Sequence, residues 1–377
     1  IDGVDSLNNI LLIGMTNRMD LIDEALLRPG RLEVHVEISL PDEAGRVEIL
    51  NIHTKKMREA GYLDGTVSIP ALAARTKNFS GAEIEGLIRS ATSFALNRKV
   101  DVSGLSGSKD MGQICVDIDD FENALLEVLP AFGQHTDEFK TCLGHGITPY
   151  SSDFERTLRH GKSLVDQVRC SESTPLLTVL LHGPPGCGKT ALSAHLARFS
   201  DYPFVRRLSG ESYVGFSEQA KLSAMTKVFE DAYKSPLSLV VMDDIERLVD
   251  YVRVGPRFNN PVLQAMFAFM KKQPPTAGRR LLVIGTTSEP GFLEEVDLLR
   301  AFNVALEVPV LSKPEHFRMA LQSLAGFGGP VVDELQEELG GQRVGIKTLL
   351  LIAEMAVQRQ NPVQKDVFLE CMQLCLR

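Results

Sequence analysis

One stretch limits the folds open to this chain more than any other. Residues 176–181 form a largely apolar, partly β-branched run of strand length. After His182 it gives way to Gly183-Pro184-Pro185-Gly186-Cys187-Gly188-Lys189-Thr190. A helical pattern (Ala191, Leu192, Ala194, Leu196, Ala197) follows at once. Strand, glycine-rich loop and helix in that order are the setting in which G-x-x-x-x-G-K-[ST] has a physical meaning. The three glycines let the backbone turn tightly and bring its N–H groups against a phosphate. The new helix adds the positive end of its dipole at the same place. Lys189 supplies a point charge for the β- and γ-phosphates, and the Thr190 hydroxyl is suited to ligate Mg²⁺. A nucleoside triphosphate is the ligand this loop predicts.

The alternation of strand and helix continues on both sides. Strands are expected over 202–208, at 239–242 ending in Asp243-Asp244, at 280–284 and at 304–308, with a helix over 217–233 between the first two. Residues 311–377 read as helix. Such alternation around a phosphate loop predicts a parallel α/β sheet followed by a helical cap. Upstream, residues 41–129 read as helical, with Ser80-Gly81-Ala82-Glu83 as a capping box. Residues 101–111, rich in Ser, Gly and Asp, read as a loop. The first 40 residues predict two strands, over 9–15 and 32–38, around a short helical piece ending in Leu26-Leu27-Arg28-Pro29-Gly30-Arg31.

An internal repeat organises these pieces. Ile13-Gly14-Met15-Thr16 recurs as Ile284-Gly285-Thr286-Thr287, and Leu26-Leu27-Arg28 as Leu298-Leu299-Arg300. Each copy runs on into a strand, a proline and a helical unit. The expected division is 1–40 as the end of a first α/β unit without its own phosphate loop, and 41–130 as its helical lid. A linker over 131–150, a second α/β unit over 151–310 and a second lid over 311–377 complete it. Since the chain opens on Ile1 with no methionine, a fragment of a longer protein is expected.

Bulk properties exclude other classes. With 44% hydrophobic and 24% charged residues, the 377-residue chain has an ordinary globular composition. A net charge of −9 and no basic block argue against general nucleic-acid binding. No apolar run approaches membrane-span length, so no direct membrane insertion is expected. Six cysteines without a C-x-x-C pair suit a reducing, cytoplasmic setting better than a disulfide framework or zinc site.

The remaining chemistry falls at strand ends. Asp243 suits a Mg²⁺ site shared with Thr190. Asp244 stands where a longer carboxylate would polarise the attacking water. One methylene less misplaces that water by roughly 1 Å, which costs on the order of 100-fold. Slow hydrolysis and long ATP occupancy are therefore expected. Asn17 in the first copy and Ser288 in the second, beside Thr287, sit where a polar group would orient the water or γ-phosphate; strand-end capping is the plainer use of both. Arg28 and Arg31, flanking Pro29-Gly30, suit an arginine finger offered to a neighbouring subunit, worth roughly 10³–10⁵ in rate. In the second copy Arg300 remains and Asn303 replaces the second arginine. Lys347, after Gly345-Ile346, opens a lid helix from which a cation could reach the triphosphate. Tyr213-Val214-Gly215 suits either a loop facing a central pore or ordinary packing. Cys187, inside the loop and at a helix start, is expected to have a lowered pKa and to be open to alkylation where phosphates bind. Cys371 and Cys375 are read as core, and the histidines show no metal-ligand spacing.

Several of these segments resemble a known family. Gly-Met-Thr-Asn-Arg at 14–18, Leu-Leu-Arg-Pro-Gly-Arg at 26–31 and Asn-Phe-Ser-Gly-Ala-Glu at 78–83 are similar to the AAA ATPases. Pro-Ala-Phe-Gly at 130–133, Asp-Ala-Tyr-Lys-Ser at 231–235, Asp-Asp-Ile-Glu-Arg at 243–247, Gly-Pro-Arg-Phe at 255–258 and Ile-Gly-Thr-Thr-Ser at 284–288 resemble the N-ethylmaleimide-sensitive, vesicle-fusing branch across nearly the whole chain. The resemblance implies an AAA+ P-loop NTPase fold of class α/β: a parallel sheet flanked by helices plus a helical lid, here partially duplicated. It further implies a homohexamer of stacked rings that works with SNAP adaptors on SNARE complexes. Such a hexamer would be cytoplasmic, recruited peripherally to vesicle and Golgi membranes. In that family the second ring holds ATP tightly and supports assembly. The adenine-contacting loop would fall on His145, Gly146 and Ile147. A segregase-type unfolding ATPase and a nucleotide-locked assembly module remain as alternatives.

Overall fold

In the computed structural model the expected alternation becomes a five-stranded parallel sheet of order β2-β3-β4-β1-β5. The structure describes residues 10–17, 19–38, 40–99, 115–130, 136–144, 146–171, 173–253, 257–324 and 326–375. The strands are β1 (Leu176–His182), β2 (Phe204–Ser209), β3 (Leu237–Asp243), β4 (Arg280–Thr287) and β5 (Val304–Glu307). Four helices precede the sheet unit: α1 (Glu43–Glu59), α2 (Ile69–Arg75), α3 (Gly81–Lys99) and α4 (Ile118–Glu127). A short α5 (Thr136–Cys142) leads to α6 (Ser152–Cys170). Within the sheet unit lie α7 (Lys189–Ser200), α8 (Glu218–Lys234), α9 (Ile245–Leu248), α10 (Asn260–Lys271) and α11 (Pro290–Glu295). The chain closes with α12 (Pro314–Gln322), α13 (Gly329–Leu339), α14 (Ile346–Arg359) and α15 (Lys365–Cys375).

The near-continuous apolar strands are explained by burial on both faces. Successive side chains point to opposite sides, so Leu177, Val179, Leu181, Leu239, Val241, Leu282 and Ile284 join one core, together with Val165 of α6 and Leu192 and Leu196 of α7. Their neighbours Leu180, Val240, Met242, Leu281 and Val283 join the other, with Met225 and Phe229 of α8 and Met266 and Phe269 of α10. Each such side chain contributes roughly 1.5–3 kcal/mol. The closing helices are continuous with the first of these cores through Phe317, Leu335, Leu349 and Phe368. The α1–α4 unit has its own core around Leu50, Leu72, Ile84, Leu87 and Phe121. The expected capping box is formed there: Glu83 accepts from the Ser80 backbone at 2.6 Å, and the Glu83 N–H reaches Ser80 Oγ at 3.4 Å.

The two strands expected in the first 40 residues do not form among the described residues. Residues 10–16 and 31–38 are extended or bent and form no strand, and Leu11, Ile13, Met15, Val34, Val36 and Ile38 are exposed. A parallel strand exists only through partners on its edges and helices on its faces, and no described strand lies beside these segments. Only the local turns survive, as 3₁₀ helices at Met19–Leu21 and Glu24–Leu26. No described helix is long and apolar enough to cross a membrane.

Candidate nucleotide site

Parallel registry aligns the carboxyl ends of the strands. His182 lies opposite Thr287, and Ser209 opposite Asp243. The crevice beyond those ends is where open α/β sheets bind ligands. The loop from Gly183 to Gly188 starts there and delivers the chain into α7 at Lys189. Gly183 is required by crowding, since a Cβ there would lie 2.5 Å from the Val308 carbonyl oxygen. The lid approaches equally closely. A Cβ on Gly345 would lie 2.8 Å from the Gly186 carbonyl oxygen, and the Lys347 backbone N–H donates to that oxygen at 3.0 Å. On the other side, the Tyr150 hydroxyl shares its proton between the carbonyls of Pro309 (2.8 Å) and Cys187 (3.2 Å). Burial pushes that phenol far above its ordinary value.

The predicted pair of Mg²⁺ ligands meets directly. Thr190 Oγ1 donates to Asp243 Oδ1 at 2.9 Å, across from α7 to the end of β3. Lys189 is buried, and its Nζ donates to the Gly183 and Pro184 carbonyls, each at 2.9 Å. Among the described residues no group of three or more His, Cys, Asp or Glu could hold a metal ion. A divalent ion here would therefore draw its other ligands from phosphate and water. That is the habit of Mg²⁺, whose hard-oxygen chemistry the hydroxyl and carboxylate fit.

Three residues complete the site without having been singled out from the sequence. Thr286 Oγ1 donates to Asp243 Oδ1 at 2.7 Å and accepts from the Asp244 backbone N–H at 2.8 Å. Arg207 on β2 grips the other oxygen, Oδ2, with Nε at 3.1 Å and Nη2 at 2.6 Å. Burial is the strongest single influence on Arg207 and works against its charge, but the hydrogen bonds to Asp243 and the attraction of Asp243 and its neighbours together outweigh it, so its pKa is raised. Breaking one partner of so buried a pair costs about 3–5 kcal/mol. Glu246 accepts the Ser288 backbone N–H and the Thr287 hydroxyl, each at 2.9 Å. The signal available for Arg207 was the Arg206-Arg207 pair, which interrupts an otherwise apolar strand.

Asp244 has a left-handed backbone, φ 50°, and its carboxyl pKa is raised, chiefly by burial and then by Asp243 and Glu246. The Thr287–Ser288 strand end is tied down by Glu246. Pro184 and Pro185 are exposed, and Ala191 is half-buried at the start of α7. Lys347 is exposed at the lid helix start. Gly146 and Ile147 lie in the segment leading to Tyr150, Ile147 packing against the core; His145 lies outside the described residues. Asn17 and Arg28 are exposed on the first copy, and Arg31 donates to the Ala25 carbonyl of its own turn at 2.6 Å.

The expectation for Cys187 is corrected. Its thiol is fully buried in the core under the loop, 3.1 Å from where a Gly183 Cβ would stand. Burial raises its pKa and outweighs the opposing pull of Lys189, so the thiol is not activated.

Comparison with known proteins agrees with this arrangement. Residues 1–40 and 179–310 match the ATPase family associated with various cellular activities (AAA), and residues 66–110 match the AAA+ lid domain. The chain belongs to the AAA family. Among AAA proteins it is 48% identical to the vesicle-fusing ATPase of Arabidopsis thaliana, over 96% of this chain and 48% of that protein. It is 47% identical to the vesicle-fusing ATPase of Dictyostelium discoideum, over 100% of this chain and 50% of that one. Identity to the vesicular-fusion protein sec18 of Schizosaccharomyces pombe is also 47%, over 99% of this chain and 48% of the relative. The chain thus spans about half the length of the curated relatives it matches.

Proposed function

We propose that this chain is the rear portion of an AAA ATPase of vesicle fusion, and that its second α/β unit binds Mg²⁺-ATP, hydrolyses it slowly and uses the bound nucleotide to hold a homohexamer together. The domain division given above, with lids over 41–130 and 311–377, belongs to this reading. So do the nucleotide contacts of residues 183–191, of the 145–147 segment and of Lys347. In the whole protein the hexamer works with SNAP adaptors to take SNARE complexes apart, cytoplasmic and peripherally recruited to vesicle and Golgi membranes. Arg28 and Arg31 would then face a neighbouring subunit's nucleotide.

The observation that carries the reading is the Thr190–Asp243 contact at 2.9 Å beneath a loop whose lysine is held at its mouth. When bound, Mg²⁺ neutralises charge on the β- and γ-phosphates. The chain's own residues would hold the two parts: Thr190 and Asp243 offer oxygens to the ion, while Lys189 offers a cation and the start of α7 offers N–H groups to the phosphates. Slow turnover is supported by the short Asp244 side chain and by the Glu246 grip on the Thr287–Ser288 strand end. Those two features also favour the nucleotide-locked assembly module, which differs from the main reading only in its turnover.

Calorimetric titration of ATP into the chain, with Lys189→Ala beside it, tests the proposal. Loss of one charge-assisted contact predicts about 10–100-fold weaker binding in the variant. Equal affinity in both, or none in the parent chain, would overturn the reading.

A further inference from the structure

Asp243 has no idle oxygen. Oδ1 takes the hydroxyl protons of Thr190 and Thr286, and Oδ2 takes two N–H groups of Arg207. The carboxylate is only 3% exposed and the guanidinium 18%, so this is a desolvated pair within the site. Arg207 lies on the strand next to β3, its Cα partner being Val241. Beside the pair opens a cavity of about 250 Å³, lined by Arg207, Asp243, Asp244 and Glu211 among others.

Two cations cannot share this place comfortably. A hydrated divalent ion held by Thr190 and Asp243 needs the side of the carboxylate that faces the loop, and it needs those two oxygens to part enough to admit the ion and its waters. A guanidinium locked on Oδ2 holds the carboxylate in its closed pose and repels a dication a few ångströms away. It also supplies what the ion would otherwise supply, a permanent positive charge against Asp243. Arginine remains protonated at any working pH, so the substitution cannot lapse. Glu211, on the same cavity, offers the guanidinium a second carboxylate when it lets go of the first.

We propose that Arg207 is a tethered stand-in for the divalent cation: it neutralises Asp243 while no metal ion is bound, so that nucleotide is retained when Mg²⁺ is scarce, and it turns toward Glu211 when the ion arrives. The proposal rests on the nucleotide-binding reading given above. An arginine that merely pinned β2 to β3 would leave metal dependence untouched, and that distinction is measurable.

The experiment uses the full chain, with Arg207→Leu and Arg207→Gln, and two readouts other than turnover. The first is ATP affinity by calorimetry, with Mg²⁺ and with a chelator. The second is Mn²⁺ affinity in the ADP complex, by electron paramagnetic resonance. The parent chain is expected to lose less than about tenfold in ATP affinity on chelation. Both variants, left with an uncompensated carboxylate facing the phosphates, are expected to lose about 100-fold. Their Mn²⁺ affinity should rise at least about tenfold, because no tethered cation has to be displaced. Arg207→Gln keeps a hydrogen-bond donor for Asp243 and carries the test alone if the leucine variant does not fold. Unchanged Mn²⁺ affinity and unchanged chelator sensitivity, with ATP binding intact, would overturn this inference and leave the nucleotide site standing. Absence of ATP binding by the parent chain under every metal condition would overturn both.

Discussion

The chain carries the same short sentence twice, in two surroundings. Ile284-Gly285-Thr286-Thr287 is a central strand: Ile284 is 1% exposed, and a Cβ on Gly285 would stand 2.7 Å from Phe302 and 2.8 Å from Ile245. Ile13-Gly14-Met15-Thr16 has the same pattern and is no strand. Ile13 is 72% exposed, and a Cβ on Gly14 would meet nothing nearer than Leu32 at 3.6 Å. A short 3₁₀ turn forms at the following Leu-Leu-Arg segment in both places, ending at Leu26 in the first copy (Glu24–Leu26) and starting at Leu298 in the second (Leu298–Ala301). A turn can be held by partners a few residues away. A parallel strand is held by partners tens to a hundred residues away and by helices on both faces, so closely similar residues make it or fail to make it according to what lies beside them.

The sharpest way to break this contrast is a pair of matched substitutions. Gly285→Val forces a branched side chain against Phe302 and Ile245 and is expected to cost about 3 kcal/mol, the upper end for overpacking. Gly14→Val is expected to stay within about 0.5 kcal/mol, as for other exposed positions. Urea unfolding followed by circular dichroism reads both. A midpoint that falls equally for the two would mean that the first copy is packed in solution, and the contrast would fail.

A smaller effect tests what the second copy alone stores. Asp244 is held in a left-handed conformation at the end of β3, with its carboxyl pKa raised by burial and by two neighbouring carboxylates. In the unfolded chain it ionises at a lower pH than in the folded one, so folding is opposed as pH rises through the folded-state value. Asp244→Asn, which mimics the protonated form, is therefore expected to raise the thermal midpoint at pH 7. The advantage should shrink as pH falls and vanish below the ordinary aspartate range. An advantage that is independent of pH, or that grows in acid, would mean the strain is not electrostatic.

How much of this was legible beforehand follows the same division. The phosphate loop, the alternation of strands and helices, the Ser80–Glu83 capping box and the Thr190–Asp243 partnership were readable because each is a local pattern or a pairing that a local pattern demands. Arg207 was not, since its meaning comes from lateral registry: only the alignment of β2 on β3 brings it to Asp243. The Gly345–Gly186 approach of lid to loop depends likewise on packing across the whole unit. The helix-start expectation for Cys187 fails because burial in the core beneath the loop outweighs the pull of Lys189 and of the backbone N–H groups. The strands of the first copy were misread for the reason the comparison makes plain, since periodicity reports a capacity for burial and not the partner that fulfils it.

The least effect expected isolates the local half of the contrast. In the first-copy turn, Asp23 Oδ1 accepts the Ala25 N–H at 2.9 Å, and the Leu26 and Leu27 N–H groups return to Asp23 and Glu24. Arg31 reaches back to Ala25, and the Leu32 N–H to Leu26. Every one of these partners lies within six residues. Asp23→Ala removes the cap and is expected to cost this turn about 1 kcal/mol. Amide exchange at Ala25 should quicken about fivefold, with the urea midpoint of the whole chain unmoved. In the second copy Asp297 makes no such cap, and its turn is anchored instead by Leu298, which is fully buried. Asp297 has a left-handed backbone, φ 62°, so Asp297→Gly, which keeps that backbone, should leave exchange at Leu299 about as it was. If Asp23→Ala lowered the global midpoint, the first-copy turn would be coupled to a packed core after all, and the separation of local from distant determinants would no longer describe this chain.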